Sequence, residues 1–179
     1  MKNIVVLAFL GLFFVLTQHD ASANGYFLIN GGSGGKYNAS SLGGEIGVVW
    51  PATDLQYFLG FGISQINSET RERYYPAGGG VNPPYVWDKV RSNEQELYAA
   101  GGLRLVNDFF LGGSVGASTV CEGTVLKGES ASSCDSWDGN KSETNVTWSG
   151  QIRYIWKNLI IGGGYHNRRG PVLGIGFNF

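Results

Sequence analysis

Charge is scarce in this chain. Asp, Glu, Lys and Arg make up 15% of the residues, against about 25% in an ordinary soluble domain. The net charge of −1 leaves no basic excess of the kind that binds nucleic acid. Long apolar runs are scarce as well. Ile4 to Leu16 is almost wholly apolar, but it falls short of the roughly 20 residues that a membrane helix needs, and no later stretch comes closer. There are 2 His and 2 Cys, and no His lies near either Cys, so no metal site is expected. Glu122, Glu129, Asp135 and Asp138 lack the ordered spacing of a calcium loop. Gly78-Gly79-Gly80 does not follow a strand and open a helix, so it is not a phosphate loop. No cofactor is expected.

What is plentiful is glycine, with 29 residues, and aromatic side chains, at 13%. The start of the chain reads as a secretory signal: Lys2, the apolar run, then the small-x-small site Ala21-Ser22-Ala23. The expected division is a cleaved segment over residues 1–23 and one domain over residues 24–179. An exported, charge-poor chain without a spanning helix has one remaining way to cross a bilayer, a closed β-barrel whose backbone groups satisfy each other. Cys121 and Cys134 form an even pair in an exported chain, so a disulfide closing a short polar loop is expected. By chain entropy it would contribute about 3 kcal/mol.

The last nine residues set the pattern for the rest. Leu173, Ile175, Phe177 and Phe179 alternate with Gly174, Gly176 and Asn178. A period of two gives a strand with one apolar face and one small or polar face. Such a strand at a chain end would be an aggregation-prone edge unless it closes a barrel. Seven further segments read as strands: Tyr26 to Gly32, Leu42 to Trp50, Leu55 to Ile66, Glu94 to Leu105, Phe109 to Val120, Thr144 to Trp156 and Leu159 to Tyr165. The facing of the first is unresolved, because Tyr26 to Ile29 is continuously apolar. Pro51 to Asp54, Val106 to Asp108 and Lys157-Asn158 read as tight turns. The other connections are loops, two of them long: Asn67 to Asn93 and Cys121 to Glu143. Short turns at one rim and longer loops at the other predict an all-β, eight-stranded antiparallel up-and-down transmembrane barrel, with the short turns periplasmic.

Polarity then assigns the faces. The apolar face meets lipid and the small, polar face meets the lumen, the reverse of a soluble barrel. Trp50, Tyr57, Phe109, Tyr154, Trp156, Phe177 and Phe179 should form a periplasmic aromatic girdle, with Trp148 and Tyr165 nearer the outer rim. Glu45, Arg104 and Arg153, with Glu96 as a second anion, are the expected lumenal charge network. Such charges need partners, since an unpaired buried charge is costly. The network reads first as a structural plug and second as the gate of a narrow pore.

The signal, the alternating segments, the loop asymmetry and the end Gly174-Ile175-Gly176-Phe177-Asn178-Phe179 resemble the small bacterial outer-membrane barrels of the OmpA/OmpX/opacity-protein group. The resemblance covers residues 24–179 and is architectural, with no function-bearing motif in it. It implies the bacterial outer membrane as location, a monomer in contact with outer-membrane lipid and lipopolysaccharide, and the barrel-assembly machinery as a partner that reads Phe177 and Phe179. The group includes adhesins, membrane-stabilising proteins and proteins of unknown role. Some small outer-membrane barrels instead modify lipid A with a rim His, a Ser and an acid. His166 is the weak catalytic candidate here. The deacylase-like arrangement places a Ser two residues after the His, and this chain has Arg168 there.

Two sets of loop residues complete the expectations. Lys36, Arg71, Arg73, Arg168 and Arg169 are candidates for lipopolysaccharide contact, since the Arg fork suits phosphate. Tyr74, Tyr75, Tyr85 and Trp87 in the long loop are candidates for binding a host or cell-surface ligand, aromatics with nearby Arg being common interface anchors. The function expected is a non-enzymatic surface barrel for adhesion, lipopolysaccharide contact or envelope integrity. A lipid A-modifying enzyme and a narrow gated pore are the alternatives.

Overall fold

The computed structural model describes residues 23–50, 56–74, 87–126 and 138–179. Apart from Ala23, the expected signal segment lies outside the described residues, as do Tyr75, Tyr85, Cys134 and the turn at Pro51 to Asp54. The strands are β1 (Asn24–Gly34), β2 (Ala39–Trp50), β3 (Tyr57–Ile66), β4 (Thr70–Tyr74), β5 (Trp87–Arg91), β6 (Glu94–Val106), β7 (Phe109–Leu126), β8 (Asp138–Trp156), β9 (Leu159–His166) and β10 (Gly170–Asn178), with a 3-10 turn over Gly35–Tyr37.

Eight of these strands close a barrel in the order β1, β2, β3, β6, β7, β8, β9, β10, all neighbours antiparallel. The seam is β1 on β10, from Tyr26 opposite Asn178 to Gly32 opposite Val172. The amide of Phe179 adds a bond to the Gly25 carbonyl at 2.8 Å. The terminal strand thus seals the barrel, as its alternation predicts. The turns at Asn107-Asp108 and Lys157-Asn158 are tight, and Asn107 (φ 50°) and Lys157 (φ 52°) take the left-handed conformation these hairpins require. The Gly35–Tyr37 turn and Asn167 to Arg169 lie at the opposite, outer rim.

The period of two sorts the side chains as predicted. Leu42, Ile63, Val115, Val146 and Leu173 point outward and are each at least 63% exposed. Exposed apolar side chains surround the barrel on all its strands, a belt that only lipid can cover. At its periplasmic border Trp50 stacks on Tyr57 (5.1 Å between ring centroids) and Phe109 lies against Tyr154 (4.8 Å). Trp156, Phe177 and Phe179 are exposed beside them, whereas Trp50, expected on the lipid face, is only 8% exposed. The lumen is filled by Tyr26, Leu28, Val49, Phe58, Tyr98, Ala100, Phe110 and Ile160. Inward-facing glycines make space for the rings. A Cβ on Gly47 would collide with the Tyr26 ring and the Leu59 carbonyl, and one on Gly62 with the Tyr98 ring.

Above the outer rim the structure departs from the expected loops. The segment Asn67 to Asn93 contains the β4–β5 hairpin, and β5 pairs with the upper end of β7, from Arg91 opposite Glu122 to Trp87 opposite Leu126. The segment Cys121 to Glu143 contributes the tops of β7 and β8, paired from Thr124 opposite Asp138 downward. A four-stranded sheet, β4-β5-β7-β8, therefore continues the barrel wall beyond the belt. Val90 and Val125 are buried on it with Cys121 packed against them. Charged and polar residues such as Thr70, Glu72, Lys89, Lys141 and Glu143 interrupt the apolar alternation here, and the segment reads as loop in the sequence.

Replacing Gly47 with Val should destabilise the barrel by about 1–3 kcal/mol, the usual cost of overpacking. Gly150 faces lipid, and a Cβ added there would meet nothing within 4 Å, so Gly150→Val should change stability by less than about 0.5 kcal/mol. Urea unfolding in lipid vesicles measures both, and equal losses would remove the packing argument.

Candidate functional site: the lumenal network

Two charged layers cross the lumen. The lower joins β2 to β8 on the opposite wall. Arg153 grips Glu45 in a bidentate pair, Nη1 to Oε1 at 2.8 Å and Nη2 to Oε2 at 2.9 Å. Tyr26 donates to Glu45 Oε1 at 2.5 Å and accepts from Arg153 Nη1 at 3.1 Å. Gln151 Oε1 accepts from Arg153 Nε and Nη2 at 3.2 and 3.1 Å. The guanidinium also lies 4.0 Å from the Phe58 ring centroid, a cation–π contact that gains from desolvation. Arg153 is 1% exposed and Glu45 2%, so this pair is stable only because its hydrogen-bonding capacity is met from several strands.

The upper layer joins β6 to the β9–β10 turn. Glu94 receives Arg168 Nε at 2.8 Å and Nη2 at 2.6 Å, and the Ser118 hydroxyl as well. Glu96 receives Ser64 at 2.5 Å on one oxygen and faces His166 Nε2 at 2.8 Å on the other. Arg169 donates to Ser41 Oγ at 3.0 Å and Asn30 Oδ1 at 2.5 Å, and Asn30 in turn donates to Tyr98 at 2.9 Å. Between the layers lies a cavity of about 30 Å³ bordered by Asn30, Glu45, Tyr98, Gln151, His166 and Arg169. That is room for a water molecule or two and not for a solute.

Three of the expected network residues are in the lumen, but in separate layers: Glu45 with Arg153 below, Glu96 above. Arg104 belongs to neither. It sits half-exposed at the periplasmic end of β6, 3.9 Å from Asp108, with Nε donating to the Asn107 carbonyl. Its parity is inward, but β6 ends there and the side chain reaches the turn instead of the lumen. Arg168 and Arg169, expected at the lipopolysaccharide surface, are buried inside the barrel mouth, because the turn that carries them folds inward. Lys36 is exposed in the outer 3-10 turn, and Arg71 and Arg73 lie on β4 above the rim. Tyr74 and Trp87 are cross-strand partners on the β4–β5 hairpin.

His166 is held inside the lumen. Both ring nitrogens are committed, Nε2 to Glu96 and Nδ1 to the Arg168 and Arg169 amides. The nearby Ser64 is bound to the carboxylate instead of to the imidazole. A nucleophile must be hydrogen-bonded to its base, and this order is inverted. Sequence reasoning missed Glu94, Arg168 and Asn30 as lumenal partners. Parity offered the signal for one of them, since Glu94 is two before Glu96; Arg168 lies in the turn between β9 and β10, where the period of two does not apply.

The fold occurs in known proteins. Ail, the attachment invasion locus protein of Yersinia pestis, superposes with a TM-score of 0.50 at 13% identity, over 88% of this chain and 97% of Ail. A second structure of Ail, in complex with the heparin analogue sucrose octasulfate, gives 0.49 at 15% identity, over 88% and 96%. The N-terminal β-barrel domain of Pseudomonas aeruginosa OprF gives 0.43 at 16%, over 88% and 98%. No protein-family model matches the sequence, and no curated protein matches it. The chain has the fold of a small outer-membrane β-barrel. Its belt of exposed apolar side chains is that of a barrel which spans a lipid bilayer.

Removing one partner of the lower pair strands a buried charge, which costs about 3–5 kcal/mol. Arg153→Met should therefore lower the unfolding free energy by that order. Adding Glu45→Gln should recover more than about half of the loss, because the orphaned carboxylate is gone. A double variant no more stable than the single one would show that packing, not charge pairing, sets the cost.

Proposed function

We propose that this protein is a non-enzymatic surface barrel that anchors a ligand-binding sheet above the outer membrane. The observation that carries the reading is the β4-β5-β7-β8 sheet standing beyond the lipid belt. On the barrel side β8 pairs with β9 only from Ser149 downward, and residues 139–144 are exposed along its top. The Tyr74–Trp87 pair and Arg71 and Arg73 lie on the same sheet. Lys36, Arg71 and Arg73 are the residues proposed to meet lipopolysaccharide, Arg168 and Arg169 being inside the barrel. Ail, an attachment protein by name, shares the fold, so the architecture is compatible with adhesion.

The plugged lumen supports the anchor over the pore. The commitment of both His166 nitrogens supports it over the lipid A enzyme.

Replacing residues 70–91 with a short linker should leave barrel assembly and heat-modifiable migration unchanged and reduce attachment of expressing cells to host cells by at least about tenfold. Undiminished attachment would refute the assignment. The mass spectrum of lipid A from expressing cells should match that of empty-vector cells. Planar-bilayer recordings should show no conductance. A gained or lost acyl chain, or steady channel currents, would favour the alternatives.

A further inference from the structure

We propose that the outer edge of the lipid belt carries a seat for one glycolipid, an acylated amino sugar, across β2, β3, β6 and β7. Two neighbouring rows of outward-facing residues build it. The lower row follows the ladder through Ile29, Gly44, Ile63, Leu97 and Ala117. Ile29, Ile63 and Leu97 stand out at 48%, 67% and 51% exposure, and Gly44 and Ala117 leave gaps between them. A Cβ on Gly44 would find its nearest neighbour, a carbon of the Phe27 ring, only at 3.9 Å, so this glycine makes room for no other part of the protein. The groove over the row measures about 1080 Å³, the upper end of the size range of ligand pockets.

Place and chemistry together choose the occupant. The groove is continuous with the apolar belt, so acyl chains cover its floor. The row above it is polar and neutral. Gln65 pairs with Gln95 across the β3–β6 ladder, and Gln95 with Thr119 of β7. β3 ends at Ile66 and β6 begins at Glu94, so the two glutamines are the last outward-facing residues of their strands and stand where hydrocarbon gives way to headgroups. Both are exposed, and among the described residues neither side-chain amide has a partner within the protein. A primary amide offers two donors and an acceptor, which are costly to leave unmet at the edge of hydrocarbon. Among the described residues no Lys or Arg lines the groove, and its one acid, Glu96, turns its carboxylate into the lumen. A phospholipid head of phosphate and ammonium calls for charged partners. The hydroxyls and amide-linked acyl groups of a sugar call for neutral donors and acceptors side by side, as Gln65, Gln95 and Thr119 supply.

The seat lies at the foot of the protruding sheet. The chain leaves β3 for β4 through Ser68 and Glu69 and returns to β6 through Ser92 and Asn93. These two crossings are tied together, Ser68 Oγ donating to the Ser92 carbonyl and the Glu69 amide to Asn93 Oδ1, both at 3.1 Å. A lipid held by Gln65 and Gln95 therefore packs its head against the root of the β4–β5 hairpin. The choice of a sugar-headed lipid rests on the reading that this rim meets lipopolysaccharide. Supplying the lipid directly tests the seat, and the attachment assay on residues 70–91 tests the surface reading apart from it.

The experiment is NMR of the whole barrel in phosphatidylcholine nanodiscs, titrated with lipid A and, in parallel, with phosphatidylglycerol. The side-chain amides of Gln65 and Gln95 and the methyls of Ile63 and Ala117 report the seat. The Trp148 indole and the Leu173 methyls, elsewhere on the belt, report ordinary lipid contact. Lipid A should shift the seat signals saturably, at a mole fraction at least about tenfold below that needed at Trp148 and Leu173, and phosphatidylglycerol should show no such preference. The double variant Gln65→Leu/Gln95→Leu should weaken lipid A binding at least about tenfold. Gly44→Leu, which fills the gap, should do the same with the unfolding midpoint unchanged, and Gly150→Leu, which faces lipid on another wall, should leave binding intact. If Gly44→Leu does not fold, the glutamine variant, altered only on the surface, still decides. Shifts spread evenly around the belt, an equal preference for phosphatidylglycerol, or undiminished binding in the glutamine variant would each overturn the proposal.

Discussion

A barrel of eight strands in lipid has an interior too narrow to hold bulk water and too polar to be left unpaired, and the rest of this structure depends on how that interior is satisfied. Among the described residues, each of the three buried carboxylates is met by a group from across the lumen: Glu45 by Arg153, Glu94 by Arg168, Glu96 by His166. The cost of desolvating these charges is large. It is offset by bidentate geometry, by hydroxyl donors from Tyr26, Ser64 and Ser118, and by the Phe58 ring beneath Arg153. The pairs tie strands that are not sheet neighbours, so they brace the barrel in a direction that the backbone ladder does not.

That bracing explains the division of labour along the barrel axis. Below the outer rim the walls are fixed on the outside by lipid and on the inside by the plug. Above it, β4, β5 and the tops of β7 and β8 are freed from both constraints. Their register is held by local bonds at the break between β5 and β6, where the Ser92 amide meets the Cys121 carbonyl at 2.9 Å and Arg91 meets Glu122 at 3.4 Å. A rigid anchor with a protruding sheet suits recognition, since variation above the rim does not disturb the packed lumen.

His166, the weak catalytic candidate of the sequence, lies inside the lumen with both ring nitrogens hydrogen-bonded. Nε2 faces Glu96 and Nδ1 accepts the Arg168 and Arg169 amides of the turn. Nothing in the sequence reveals that Arg168 and Arg169 turn inward, because the inward fold of their turn follows from Gly35, Gly170 and the acceptor on His166 acting together.

The sequence by itself determined the number of strands in the barrel, the lipid and lumen faces of most of them, the girdle apart from Trp50 and the end at which the described turns lie. The reason is that each rests on local period-two alternation, which lipid on one side and a filled lumen on the other impose at every strand. It also placed Glu45, Glu96 and Arg153 inside by parity. The tertiary structure alone decided which charge meets which, since partners such as Glu45 and Arg153 are 108 positions apart in the chain and their meeting depends on barrel closure. It alone resolved the inward facing of Tyr26, obscured by the apolar run beside it, and drew Arg104 out to the rim where β6 ends. It also revealed the protruding sheet, because the polar residues in its strands leave no clear apolar alternation to read.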